Sequence, residues 1–213
     1  MLKTAVALLG SLLAGSATAV TILTATLLNG AENPPTNPTT AAGVPRLSFG
    51  NAMFVIDDAM TSMTFAASVF GLDVTGSQTA DVNDNLVAAH IHASATVTPT
   101  TNGPVVWGFF GAPFNDNSPN DFVMAPFVNG VGGTFSGKWD LTEGNNTTFA
   151  AQLANILAGR AYINFHTTQF GGGEIRGNIT AAATAVPEPE SLFLLIAGLG
   201  LIAATARRRH HRA

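Results

Sequence analysis

Short runs in which apolar and polar residues alternate fill the middle of this 213-residue chain. Clusters of Gly, Pro, Asn and Asp separate them, as turns separate strands. Residues 21–28 (TILTATLL) read as a first strand, followed by a Pro/Thr-rich loop over 32–43. Residues 48–56 and 60–69 read as a hairpin across Asp57-Asp58, and 86–94, 105–110 and 134–141 as further strands. One segment departs from this period. In 147–157 (TTFAAQLANIL), Phe149, Leu153, Ile156 and Leu157 fall at helical spacing, and Gly159 ends the run. Residues 160–168 and 173–180 close the pattern as two strands joined by a glycine turn, while 112–131, rich in Asn, Asp and Pro, reads as a long surface loop. No unit of solenoid length repeats. About seven or eight short strands and one short helix predict an all-β fold, an antiparallel β-sandwich or barrel.

The two ends follow other patterns. Residues 1–19 carry Lys3, an apolar stretch over 5–14 and the small residues Ala17-Thr18-Ala19. This is the layout of a secretory signal peptide, with signal peptidase expected to cut after Ala19. At the other end, Val186-Pro187-Glu188-Pro189-Glu190 precedes an uncharged stretch, 191–206, and then Arg207, Arg208, Arg209 and Arg212. The stretch is slightly shorter than the ~20 residues of a stable membrane helix. It predicts a transient anchor in the inner membrane, with the arginines on the cytoplasmic side. The order Pro187-Glu188-Pro189, apolar helix, Arg207-Arg208-Arg209 resembles the PEP-CTERM sorting signal of Gram-negative bacteria. The resemblance implies export, processing by an exosortase, and delivery to the cell surface or an exopolysaccharide matrix. The chain then divides into a signal peptide (1–19), a β domain (20–184) and a sorting signal (185–213).

Composition supports an exported β domain. Charged residues are 10 % of the chain and cysteines are absent, which excludes disulfides, thiolate metal sites and a cysteine nucleophile. Between the terminal signals stand four basic side chains, Arg46, Lys138, Arg160 and Arg176, and eleven acidic ones, a net charge of −7. Such a surface repels phosphate backbones, so nucleic acid is not an expected partner; cations are. An exopolysaccharide or a surface protein is the expected macromolecular neighbour.

Candidate chemistry concentrates on histidine. His90 and His92 lie one residue apart in AAHIHA, and on a strand both point to one face. In Arg160-Ala161-Tyr162-Ile163-Asn164-Phe165-His166 the even positions form a polar face carrying Tyr162, Asn164 and His166. After the turn, Glu174 and Arg176 share a face. If these strands meet, three imidazoles gather, with Glu174 a candidate fourth ligand. Neutral imidazoles suit copper or zinc. Two readings of the histidines stand: metal ligands, or buried groups bonded to carbonyls. Glu174 likewise reads as a ligand or as the ion-pair partner of Arg176. Asp57-Asp58 and the Asp81/Asp84 pair fall in expected turns, where Asp caps backbone, rather than in a glycosidase site. Asp73, Asp81, Asp84, Asp116 and Asp121 lack the D-x-D-x-D-G spacing of a calcium loop. The sequons at Asn145 and Asn178 carry no weight in a chain with a bacterial sorting tail.

These residues carry a second resemblance. Leu28-Asn29-Gly30-Ala31-Glu32-Asn33-Pro34-Pro35, Ala89-His90-Ile91-His92 followed by Gly103-Pro104-Val105, and Tyr162-Ile163-Asn164-Phe165-His166-Thr167 followed by Gly173-Glu174-Ile175-Arg176-Gly177 are similar in order and spacing to the motifs of CHRD domains. The resemblance implies a β-rich extracellular module that binds or supports rather than catalyses. The order His-x-His, Gly159-Arg160, His166 is also similar to that of the copper ligands in copper–zinc superoxide dismutases, which implies a redox enzyme as the alternative. Against it, no histidine stands between His92 and His166 to bridge two metals, and no cysteine pair is present.

Overall fold

The computed structural model describes residues 20–182. The signal peptide with its cleavage point at Ala19, the Pro187-Glu188-Pro189 motif, the apolar stretch 191–206 and Arg207–Arg209 lie outside the described residues. Among the described residues, no helix is long and apolar enough to cross a membrane.

Ten antiparallel strands form one sheet. They are β1 (Thr21–Leu28), β2 (Phe49–Ile56), β3 (Ser62–Phe70), β4 (Leu86–Ala93), β5 (Val105–Phe110), β6 (Val123–Pro126), β7 (Gly132–Asp140), β8 (Ala161–Thr167), β9 (Ile175–Asn178) and β10 (Thr180–Ala181). The spatial order is β5-β4-β8-β9-β1-β2-β3-β7-β6, with β10 on β1. The sheet curls on itself. Phe65 on β3 and Phe109 on β5 belong to opposite halves of that order, yet their rings are 4.7 Å apart. Trp107 on β5 likewise stacks on Trp139 of β7, at 5.6 Å and 9°. The expected all-β antiparallel class is therefore observed, with two differences of detail. The sheet has more strands than expected, because the final strand splits at Ile179 into β9 and β10. The long loop also contains β6, whose residues 123–126 pair with β7.

Period-2 patterning explains the inner face. Leu23, Ala25 and Leu27 of β1, Phe54 and Ile56 of β2, and Ala89 and Ile91 of β4 are buried in one core with Phe135 and Trp139 of β7 and Phe165 of β8. The β2–β3 turn is held by Asp57, whose carboxylate accepts the Thr61 and Ser62 amides. Helix α1 (Phe149–Leu157) begins two residues later than expected, because Thr148 is its N-cap and accepts the Ala151 amide at 3.2 Å. Its Phe149 meets Trp139 edge-on.

The two faces of the sheet are not covered equally. On β1 and β2 the outward residues Ile22 and Met53 are exposed. On β4 and β8 the outward residues are buried as well. Hydrogen bonds from their outward side chains to the carbonyls of Gly103, Ala112 and Gly171 fix the loops that cover them.

Candidate metal centre

Antiparallel register places the polar residues of β4 and β8 side by side. His90 stands opposite Asn164, His92 opposite Tyr162, and Ala88 opposite His166. His166 is thus a diagonal neighbour of His90. Continuing outward, Asn164 pairs with Arg176 on β9. The three histidines share one buried site, being 4 %, 8 % and 6 % exposed. One ring nitrogen from each lies within 4.8 Å of the others.

The ring nitrogens are not equivalent. A backbone carbonyl only accepts, so a nitrogen bonded to one must carry the proton. His90 Nε2 donates to Ala112 O at 3.1 Å, His92 Nδ1 to Gly103 O at 2.9 Å, and His166 Nδ1 to Gly171 O at 3.0 Å. Burial holds the rings neutral, pulling His90 down to about 3 and His92 to about 4 and lowering His166, so each ring carries one proton. The lone pairs therefore sit on His90 Nδ1, His92 Nε2 and His166 Nε2. His90 Nδ1 and His166 Nε2 face each other at 3.1 Å. His92 Nε2 is buried with no hydrogen-bond partner. Asn164 Oδ1 adds a fourth electron-rich atom, 3.0 Å from His166 Nε2. Facing lone pairs repel, and a buried unpaired acceptor is costly. A cation among these atoms relieves both conditions. Carbonyl-anchored imidazoles are also how metal-binding histidines are commonly oriented.

Neighbouring side chains fix the rings. Tyr162 stacks on His92 at 4.5 Å and 7°. The Arg176 guanidinium lies 3.6 Å from the Tyr162 ring centroid. Arg176 is buried and donates to Asn102 Oδ1 and to the carbonyls of Thr98 and Thr101, tying the 98–102 loop to β9. Glu32 enters from the loop after β1. Burial pushes its carboxyl up to about 7, partly offset by Arg176 and by a hydrogen bond with Asn164. Its Oε1 has no partner, and a Cβ on Gly173 would sit 2.3 Å from it. Gly173, at φ +122°, is thus required both by its backbone and by the space Glu32 occupies.

The expected polar face of Tyr162, Asn164, His166 and Arg176 is assembled here; Glu174 is not part of it. The Glu174 carboxylate turns to Arg46, with both contacts at 2.5 Å, and accepts from Ser48 Oγ and Thr167 Oγ1. It neither joins the histidine group nor pairs with Arg176. Arg46, carried in by the loop before β2, is the nearer cation, and Arg176 is committed to the 98–102 loop. Glu32 was legible only as part of the Gly30-Ala31-Glu32-Asn33-Pro34-Pro35 motif, with nothing in its spacing to connect it to the histidines 58 positions or more away.

No curated protein and no solved structure matches the chain. The PEP-CTERM protein-sorting motif matches residues 185–209. The CHRD domain matches residues 23–179, a span that begins within β1, stops just before β10 and contains every residue of the histidine centre. The buried histidines, the loops that lock them and all but the ends of the sheet therefore fall within the match, and the chain belongs to the CHRD-domain family.

Proposed function

We propose that this protein is exported to the bacterial surface or an exopolysaccharide matrix, where its CHRD domain holds a transition-metal ion, copper or zinc. His90 Nδ1, His92 Nε2 and His166 Nε2 are the ligands. One observation carries the reading: three carbonyls fix three tautomers, leaving His90 Nδ1 and His166 Nε2 facing at 3.1 Å, and one ring nitrogen of each histidine lies within 4.8 Å of the others. Three nitrogen ligands leave a coordination position open for water or a small ligand. Asn164 Oδ1, 3.0 Å from His166 Nε2, is the neighbouring acceptor for such a water. The sorting motif at 185–209 supports export, with signal peptidase acting at Ala19 and an exosortase near Pro187-Glu188-Pro189.

The test uses untagged full-length protein. Metal analysis is expected to find one equivalent of copper or zinc after loading, and none retained by His92→Ala. Absence of stoichiometric metal, with no rise in melting temperature on adding either ion, would sink the proposal. Superoxide turnover by the loaded protein is the check on the redox alternative. Turnover equal to that of His92→Ala leaves a binding protein.

A further inference from the structure

A second group of charged side chains lies on β7, apart from the histidines. Asp121, Asp140 at the end of β7 and Glu143 in the following turn all act on the charge of loop residue Asp116, and Lys138 pairs with two of them. Glu143 is fully used: it accepts the amides of Asn117 and Ser118 at 2.8 and 2.7 Å and that of Asp140 at 3.2 Å, fastening the loop to the strand. Lys138 pairs with Asp121 Oδ2 at 3.3 Å and Asp140 Oδ2 at 3.2 Å. Asp116 is different. It is 0 % exposed, and neither carboxylate oxygen has a hydrogen-bond partner. Asp121 Oδ1 is also buried without a partner. Gly137 leaves room for Asp116, since a Cβ there would lie 3.3 Å from its Oδ2. With Glu143 satisfied by amides, three aspartates face one ammonium, and the most deeply buried of them, Asp116, has no side-chain donor.

We propose that Asp116, Asp121 and Asp140 bind a hard divalent cation, calcium by class, between loop 115–121 and β7. Carboxylate oxygens with no competing nitrogen ligand suit calcium rather than copper or zinc. Only the three histidines, among the described residues, already have ligand atoms within 4.8 Å of one another. The aspartates do not converge to that distance on their own, as like charges repel, so in this proposal the side chains rotate towards the ion as it binds. The ligands come from a loop and a distant strand end, so loop-type calcium spacing does not reveal them. Extracellular calcium sites of this kind work at about 10⁻⁴–10⁻³ M, which fits an exported protein.

The experiment measures the melting temperature of the full chain with calcium chloride as the only added divalent ion, in parallel with magnesium chloride and with sodium chloride of equal ionic strength. Calcium at about 5 mM is expected to raise it by about 3 °C or more, and the others by clearly less. Asp116→Asn removes the unpaired charge while keeping shape, so it folds without calcium; its calcium affinity is expected to fall at least about tenfold. Asp121→Asn, at a more exposed position, gives the same readout should Asp116→Asn fold poorly. No calcium shift in the wild type, an equal shift from magnesium or sodium, or an undiminished shift in both variants would overturn the proposal.

Discussion

Two buried polar groups on neighbouring parts of the sheet look alike in composition and differ in bookkeeping. Around Glu174, every charge has its complement. Arg46 grips the carboxylate twice, Ser48 and Thr167 donate to it, and the remaining Arg46 hydrogens reach carbonyls such as those of Gly71 and Asn83. Around His90, His92 and His166 the outer nitrogens are equally well bonded, but the inner ones are all acceptors. The first group is complete and ties loop 39–48 to the β8–β9 turn. In the second, two inner lone pairs face each other and the third has no partner. The acidic residue near the histidines is thus a clamp, and the unpaired ring nitrogens are what mark the histidines as the candidate site.

The largest effect should come from breaking the complete group. Glu174→Gln leaves Arg46, only 11 % exposed, without its counter-charge, and should cost about 3 kcal/mol or more of stability. Chemical denaturation of the metal-free protein measures this. The folded fraction should still bind its full equivalent of metal. Loss of metal binding together with stability would merge the two groups into one and end the contrast.

Acidification probes the incomplete group. The histidine rings hold protons less well in the folded chain than at the ordinary 6.5. As pH falls from 6.5 towards about 4, the unfolded chain takes up protons that the folded chain refuses, and stability is lost. His90 and His92 contribute about 1.4 kcal/mol per pH unit each in that window. Glu32 works the other way. Its folded carboxyl keeps a proton up to about 7 against an ordinary 4.5, so its share of stability declines as pH rises between those values. Two terms against one leave a net loss on acidification, with His166 adding to it. The metal-free protein should therefore melt lower at pH 5 than at pH 7. An unchanged or higher melting temperature at pH 5 would mean that the rings are not buried neutral. Metal should also be released over the same range, because a proton and a metal ion compete for one lone pair.

The smallest effect separates stacking from hydrogen bonding. The Tyr162 hydroxyl reaches Gly103 O only at 3.4 Å. Tyr162→Phe keeps the ring against His92 and Arg176 and should change stability by about 0.5 kcal/mol or less, with metal affinity unaltered. A tenfold affinity loss in a metal titration would show that the hydroxyl, and not the ring alone, holds His92 in place.

Much of this was legible from residue types alone. Alternation over 86–93 and 160–166 put His90, His92, Asn164 and His166 on outward faces, and the strand boundaries followed from Gly, Asn and Asp. The helix over 147–157 was visible in its spacing, although its cap shortened it. The partner of Glu174 was not legible, because the cation that reaches it is brought in by a loop more than a hundred residues away in the chain.

The amino-acid sequence by itself determined the strand periods, the shared face of the histidines and the family, since these rest on local alternation and on motifs. Only the tertiary structure decided which ring nitrogens are free, that Glu32 touches Asn164, and that Arg46 rather than Arg176 answers Glu174. Those facts depend on which loop carbonyls and charges arrive at a given side chain across long stretches of chain. Burial then turns each arrival into a fixed tautomer or a fixed pair, because a polar group withdrawn from water must keep the partner it meets.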